Sequence, residues 1–115
     1  MSSHDPVTYE HYHAHVYYDA RTREEAEDLR EAIDGMFRVQ LGRWHDEPVG
    51  PHPQAMYQVV FSGEQFARVV PWLMERHGSL SVLIHPDTGD DLGDHRDRAL
   101  WLGQQLPLRL EMFDK

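Results

Sequence analysis

A chain of 115 residues without cysteine has no disulfide framework, no thiolate metal site and no thiol nucleophile. A formal net charge of −9 with histidine neutral, and Lys115 as the single lysine, argue against nucleic acid, whose binders carry a basic patch. No apolar run approaches the roughly 20 residues of a membrane span, so composition points to one soluble domain; its anomaly is nine histidines.

Residues 1–8 are polar and read as a flexible tail, with residues 9–115 as a single domain. The N-terminus shows no basic or apolar signal region, so the expected location is cytoplasmic. The first strand is expected over Tyr9–Tyr18. Successive strand residues point to opposite faces. His11, His13, His15 and Tyr17 therefore share one face, and Tyr12, Ala14, Val16 and Tyr18 the other. Imidazole is the commonest protein metal ligand, and it titrates near neutral pH. The plain alternative for three alternate histidines is a solvated face.

Thr22-Arg23-Glu24-Glu25 has the form of a capping box. Ala26, Leu29, Ala32 or Ile33, and Met36 follow at helical spacing, predicting a helix over Arg23–Asp34. Phe37–Leu41 alternates and predicts a second strand. The 13 residues from Gly42 to Gln54 form a long connection, and such loops are often functional. Ala55–Phe61 predicts a third strand with Tyr57, Val59 and Phe61 on one side. Ser62-Gly63-Glu64-Gln65 is a second capping box. The stripe Phe66, Val69, Val70, Leu73, Met74 and His77 predicts a helix ending at Gly78, kinked or broken at Pro71. Leu80–His85 predicts a fourth strand. Asp94 is expected to cap a short helix over His95–Leu102, with Gly103 at its end. Leu106–Met112 alternates like a last strand.

The order β-α-β-β-α-β predicts an α+β, ferredoxin-like antiparallel sheet, with a short C-terminal helix and strand appended. Its helices cover one face. The first strand lies between the third and fourth, so Ser81, Leu83 and His85 join the histidines of the first strand on the open face. That uncovered face, with Leu83 and Met56 on it, predicts a homodimer.

Three further histidines stand out beyond the first strand. His52 sits between Pro51 and Pro53, which stiffen it in an extended conformation. His85 ends the fourth strand, before Pro86. His95 is expected in the first turn of its helix, where the helix dipole disfavours imidazolium and leaves a neutral ring for acid–base work. Each has a plain reading as a turn, strand-end or side-chain-bonded residue, and no HExxH spacing occurs.

The segments His13-Ala14-His15-Val16-Tyr17-Tyr18-Asp19, Glu47-Pro48-Val49-Gly50-Pro51-His52-Pro53, Leu80 through Gly89, and Asp94-His95 with Ala99-Leu100-Trp101-Leu102-Gly103 resemble the DOPA 4,5-dioxygenase family. The resemblance runs in order from about Tyr12 to Leu110. It implies a ferredoxin-like dioxygenase that cleaves an aromatic ring with non-haem iron(II). The family's motif histidines fall on His15, His52, His85 and His95. The implied metal ligands are His15, His52 and His85; the implied acid–base groups are His95 and, second, His13. Iron(II) oxygenases more often use two histidines and a carboxylate, which draws attention to Asp46 and Glu47.

The implied reaction is extradiol cleavage of a catechol such as DOPA by O2, with a neutral His95 or His13 moving the proton. Arg43 or Arg96 would meet a substrate carboxylate. Tyr17, Trp44 and Trp101 are candidates to wall the ring, with core packing the expected role of Trp101. The rivals are a zinc isomerase or hydrolase on the same histidines, and a non-catalytic dimeric metal- or ligand-binding module whose histidines have no common focus. Register opposes the ligand set: His85 should lie nearer His11 or His13 than His15, and His52 starts from the opposite end of the sheet. The loop before the third strand must therefore fold back over the open face.

Overall fold

A computed structural model describes residues 6–113. Of the tail expected over residues 1–8, residues 1–5 lie outside them. The elements are β1 (His11–Tyr18), α1 (Arg23–Met36), β2 (Gln40–Leu41), β3 (Ala55–Ser62), α2 (Phe66–Arg76), β4 (Ser81–Pro86), α3 (Asp91–Arg96) and β5 (Leu100–Leu102). The sheet order is β2-β3-β1-β4-β5, and every pairing is antiparallel. The expected ferredoxin-like α+β fold is present, with β1 between β3 and β4, and one strand is added at the β4 edge.

Alternation along β1 divides the interior as expected. Ala14, Val16 and Tyr18 join Tyr57, Val59, Phe61, Val82 and Ile84 in a core closed by Ala26, Leu29 and Ile33 of α1 and Val69, Val70 and Leu73 of α2. Burying one such aliphatic side chain contributes about 1.5–3 kcal/mol. The Tyr57 hydroxyl, buried there, donates to the Ala26 carbonyl at 2.8 Å. Met36 and Met74, expected in the helical stripes, are exposed instead.

The capping box at Thr22 does not form. Asp19 accepts from the Thr22 hydroxyl and N–H, and the Glu25 carboxylate turns to the N–H and hydroxyl of Ser79. At the second box the Ser62 N–H does donate to Gln65 Oε1, at 3.3 Å, opening a 3-10 turn that leads into α2. The helix α2 runs on through Pro71. Pro71 and Ala67 lie on its exposed side, so the carbonyl that loses its partner faces water rather than the core. The second strand shortens from the expected Phe37–Leu41 to two residues.

The region after β4 differs most from expectation. Asp90, not Asp94, caps α3, accepting from the Gly93 N–H. The helix ends at Arg96, and Leu100–Leu102 is a strand rather than helix. It pairs Val82 with Leu102 and Ile84 with Leu100, satisfying backbone groups that β4 would otherwise leave open at an edge. Gly103 ends this strand at φ +76°, where a Cβ would lie 2.8 Å from the Leu80 carbonyl oxygen. Leu106–Met112 is no strand. It crosses the open face, ends in a 3-10 turn over Leu110–Phe113, and ties the Arg109 N–H to the Pro51 carbonyl at 2.8 Å.

The open face is therefore covered by this chain. Leu83 and Met56, expected to await a second copy, are 0% and 5% exposed and pack with Tyr17 and Leu106. The apolar surface that motivated a homodimer is filled from within.

Candidate metal centre

Two strands, one loop and one short helix bring five histidines together. His13 and His15 come from β1 and His85 from the end of β4. Register sets His85 directly opposite His13, yet its imidazole also reaches diagonally to His15, with the two Nε2 atoms 3.1 Å apart. The loop from Gly42 to Gln54 folds back as required, placing the His52 ring 4.3 Å from that of His15. His95 stands at 4.2 Å from His85. The donor atoms form two overlapping triads, His13–His15–His85 and His15–His52–His95, each within 4.8 Å. His52 and His85, both expected as ligands with His15, fall in different triads. His11, in line with the others, lies at the far end of β1 and joins neither among the described residues.

Hydrogen bonds decide which ring nitrogen carries the proton. A carbonyl oxygen only accepts. His85 Nδ1 lies 2.8 Å from the Pro86 carbonyl and His95 Nδ1 2.8 Å from that of Asp91. Both rings are thus protonated at Nδ1 and keep a bare Nε2, the arrangement in which histidines bind metals. His52 leans instead on the Tyr17 hydroxyl, 2.7 Å from its Nδ1. In the metal-free protein His15 Nε2–H donates to the bare His85 Nε2 at 3.1 Å, which leaves the buried His15 Nδ1 without a partner.

Burial keeps these rings neutral. His15, His52 and His85 are each 3–4% exposed. Desolvation first, and then the neighbouring imidazoles, lower the pKa of His52 to about 4 and hold His15 well below its usual value. Desolvation likewise lowers His85 to about 4, against an opposing hydrogen bond to Pro86. Three buried neutral imidazoles, His15, His52 and His85, with His95 beside them fit a divalent transition metal. A separation of 3.1 Å suits neighbouring donors on one ion with bonds of about 2.0–2.1 Å.

His95 is at the site, but not for the reason its position suggested. It lies in the last turn of α3, so the positive end of the helix dipole does not act on it. Asp94, beside it, is buried and accepts from the Thr88 N–H and hydroxyl and from Arg98 Nε. That network joins the turn after His85 to the helix carrying His95. Its signal in the sequence was the Asp94-His95 pair, read there as a cap. The carboxylates Asp46 and Glu47 are not at the centre. Asp46 accepts from the Tyr18 hydroxyl and Arg23, on the helix face, and Glu47 is exposed.

Beside His95 opens a cavity of about 410 Å³ lined by Trp101, Ala99, Gln105, Leu106 and Arg96, among others. Trp101 stacks on Tyr17 at 5.8 Å, and Phe113 stands 5.0 Å from His95. Arg96 is paired with Asp97. Trp44, a candidate ring wall, packs on the other face against Tyr18 and Tyr57, and Arg43 is exposed. A larger groove of about 760 Å³ between residues 7–12 and Ser62–Ala67 lies away from the cluster.

The profile of the Dopa 4,5-dioxygenase family matches residues 12–112. A DOPA 4,5-dioxygenase of Amanita muscaria is 38% identical over 86% of this chain and 47% of its own length. An uncharacterized 21.2 kDa protein of Botryotinia fuckeliana is 39% identical over 88% of this chain and 62% of its own. The chain thus spans less than two thirds of either curated relative. A crystal structure of a candidate dioxygenase from Nostoc punctiforme superposes with a TM-score of 0.90 at 50% identity, covering 95% of both chains.

Proposed function

Because the chain belongs to the Dopa 4,5-dioxygenase family, we propose that it opens the ring of DOPA or a related catechol with dioxygen, by extradiol cleavage at non-haem iron(II). The observation that carries the metal reading is the convergence of five histidines in two overlapping triads, with the Nε2 atoms of His15 and His85 3.1 Å apart. The proposed ligands are His15, His52 and His85. Relative to the His15 ring, those of His52 and His85 lie at 4.3 and 5.1 Å and that of His95 at 6.1 Å.

Bound iron(II) supplies Lewis acidity toward the catechol oxygens and the redox activity that dioxygen chemistry requires. The protein's own groups do the rest. His95 donates Nδ1–H to Asp91 and keeps Nε2 as its basic atom, suited to take a catechol proton and return it as the ring opens. His13, half-buried beside Asp87, is the second proton carrier. Trp101 and Leu106 line the cavity next to His95 and would hold the aromatic ring away from water.

A second ligand set, His15, His52 and His95, is favoured by their donor atoms lying within 4.8 Å of one another. Anaerobic iron(II) titration of His85→Ala and His95→Ala separates the two sets, since only the variant lacking a ligand loses the metal. Oxygen uptake by the iron-loaded protein with DOPA and simpler catechols tests the activity. Uptake with none of them ends the dioxygenase reading, and metal analysis of untagged protein distinguishes iron from a zinc hydrolase or isomerase.

A further inference from the structure

Resting on that metal reading, we propose that the cluster contains a second, outer cation position at His13, His15 and His85, through which a divalent ion passes to the inner position at His15, His52 and His85. The outer set shares His15 and His85, whose Nε2 atoms are 3.1 Å apart, with the proposed ligand set, and His15 with the triad His15–His52–His95. His13 completes the outer set, and His52 replaces it in the inner one.

The rings are graded in exposure. The His13 side chain is 21% exposed, whereas His15, His52 and His85 are each 3–4% exposed. Of these four, His13 is the one that water reaches. Its Nε2 stands 3.7 Å from the Asp87 carboxylate, which is 52% exposed. The Asp87 N–H donates to the His11 carbonyl at 3.0 Å, holding that residue against β1. A fixed anion at the mouth of a site raises the local concentration of cations and their rate of association.

The strands give the outer position its order. His13 faces His85 across the β1–β4 ladder, with ring centroids 5.2 Å apart. An ion held by His13, His15 and His85 keeps His15 as it moves inward, and in the proposed ligand set His85 as well. It therefore never loses all its ligands at once, which is the costly step in carrying a charge into a buried site.

The test is stopped-flow uptake of cobalt(II) by metal-free, untagged protein, followed by visible absorption. For His13→Ala we expect uptake slowed about tenfold, with the wild-type stoichiometry and final spectrum. For Asp87→Asn we expect slower uptake at low salt and a difference that closes at high salt, where exposed charges are screened. Uptake by His13→Ala at the wild-type rate overturns the outer position while leaving the inner metal site standing. A changed stoichiometry or final spectrum in His13→Ala also overturns it, because His13 is then a resting ligand. Wild-type protein that takes up no cobalt removes the metal reading, and the outer position with it.

Discussion

Both faces of β1 are buried, and they are buried differently. On the helix face Ala14, Val16 and Tyr18 meet an apolar core, and the buried Tyr57 hydroxyl has found the Ala26 carbonyl. On the other face Tyr17, Met56, Leu83 and Leu106 form a smaller apolar cluster beside His15, His52 and His85. There three buried imidazoles are held neutral against their ordinary pKa. Burying polar groups without full satisfaction costs stability. One face is therefore built for stability, and the other gives up stability to keep unprotonated donor atoms together.

Paired substitutions on the two faces sharpen this contrast. The largest effect is expected from His52→Ala or His85→Ala, which should abolish iron binding and catechol-dependent oxygen uptake together while circular dichroism stays native. The counterpart on the helix face, Leu73→Ala, should lower stability by about 2–5 kcal/mol and leave metal uptake intact. Iron binding retained in His52→Ala would break the comparison. Next, His95→Ala should keep its iron and slow turnover by roughly 10²–10⁴, the usual scale for general acid–base catalysis, as read from steady-state oxygen consumption.

The pH dependence of stability follows from the depressed histidines. Folded pKa values of about 4 for His52 and His85, against 6.5 unfolded, mean that the unfolded chain binds more protons between those limits. Their contribution is complete above pH 6.5 and is lost as pH falls toward 4, by about 3 kcal/mol per ring. Thermal melts of metal-free protein should show this fall, and it should diminish in His52→Phe. The smallest effects separate two tyrosines. Tyr17→Phe removes the hydroxyl from His52 Nδ1 and should weaken metal binding about tenfold in an anaerobic titration. Tyr57→Phe should cost about 0.5–1.5 kcal/mol in a denaturant melt and leave metal affinity unchanged.

Asp46 and His52 show where a reading of the chain stops. They lie six positions apart in one loop without periodicity, and both carry metal-binding groups. Asp46 goes to Tyr18 on the helix face, whereas His52 crosses to His15. The prolines flanking His52 marked the segment as stiff, but not which way it would turn. The alternation of Leu106, Leu108 and Leu110 serves a crossing segment and not a strand. Those residues carry the chain across the sheet, with Leu106 buried among Tyr17, Met56 and Leu83.

The sequence by itself determined the two faces of β1, the stripes of α1 and α2, the strand order and the histidines worth watching. Each of these rests on a repeat of 2.0 or 3.6 residues, or on a residue type whose chemistry travels with it. Only the tertiary structure decided that Leu100–Leu102 would pair with the edge of β4, that His95 would sit in the last turn of α3, and that the loop and C-terminal segment would close over the histidines. Those outcomes depend on which unpaired backbone edge and which exposed apolar face remain once the sheet has formed. Such vacancies belong to the assembled sheet, and no single segment contains them.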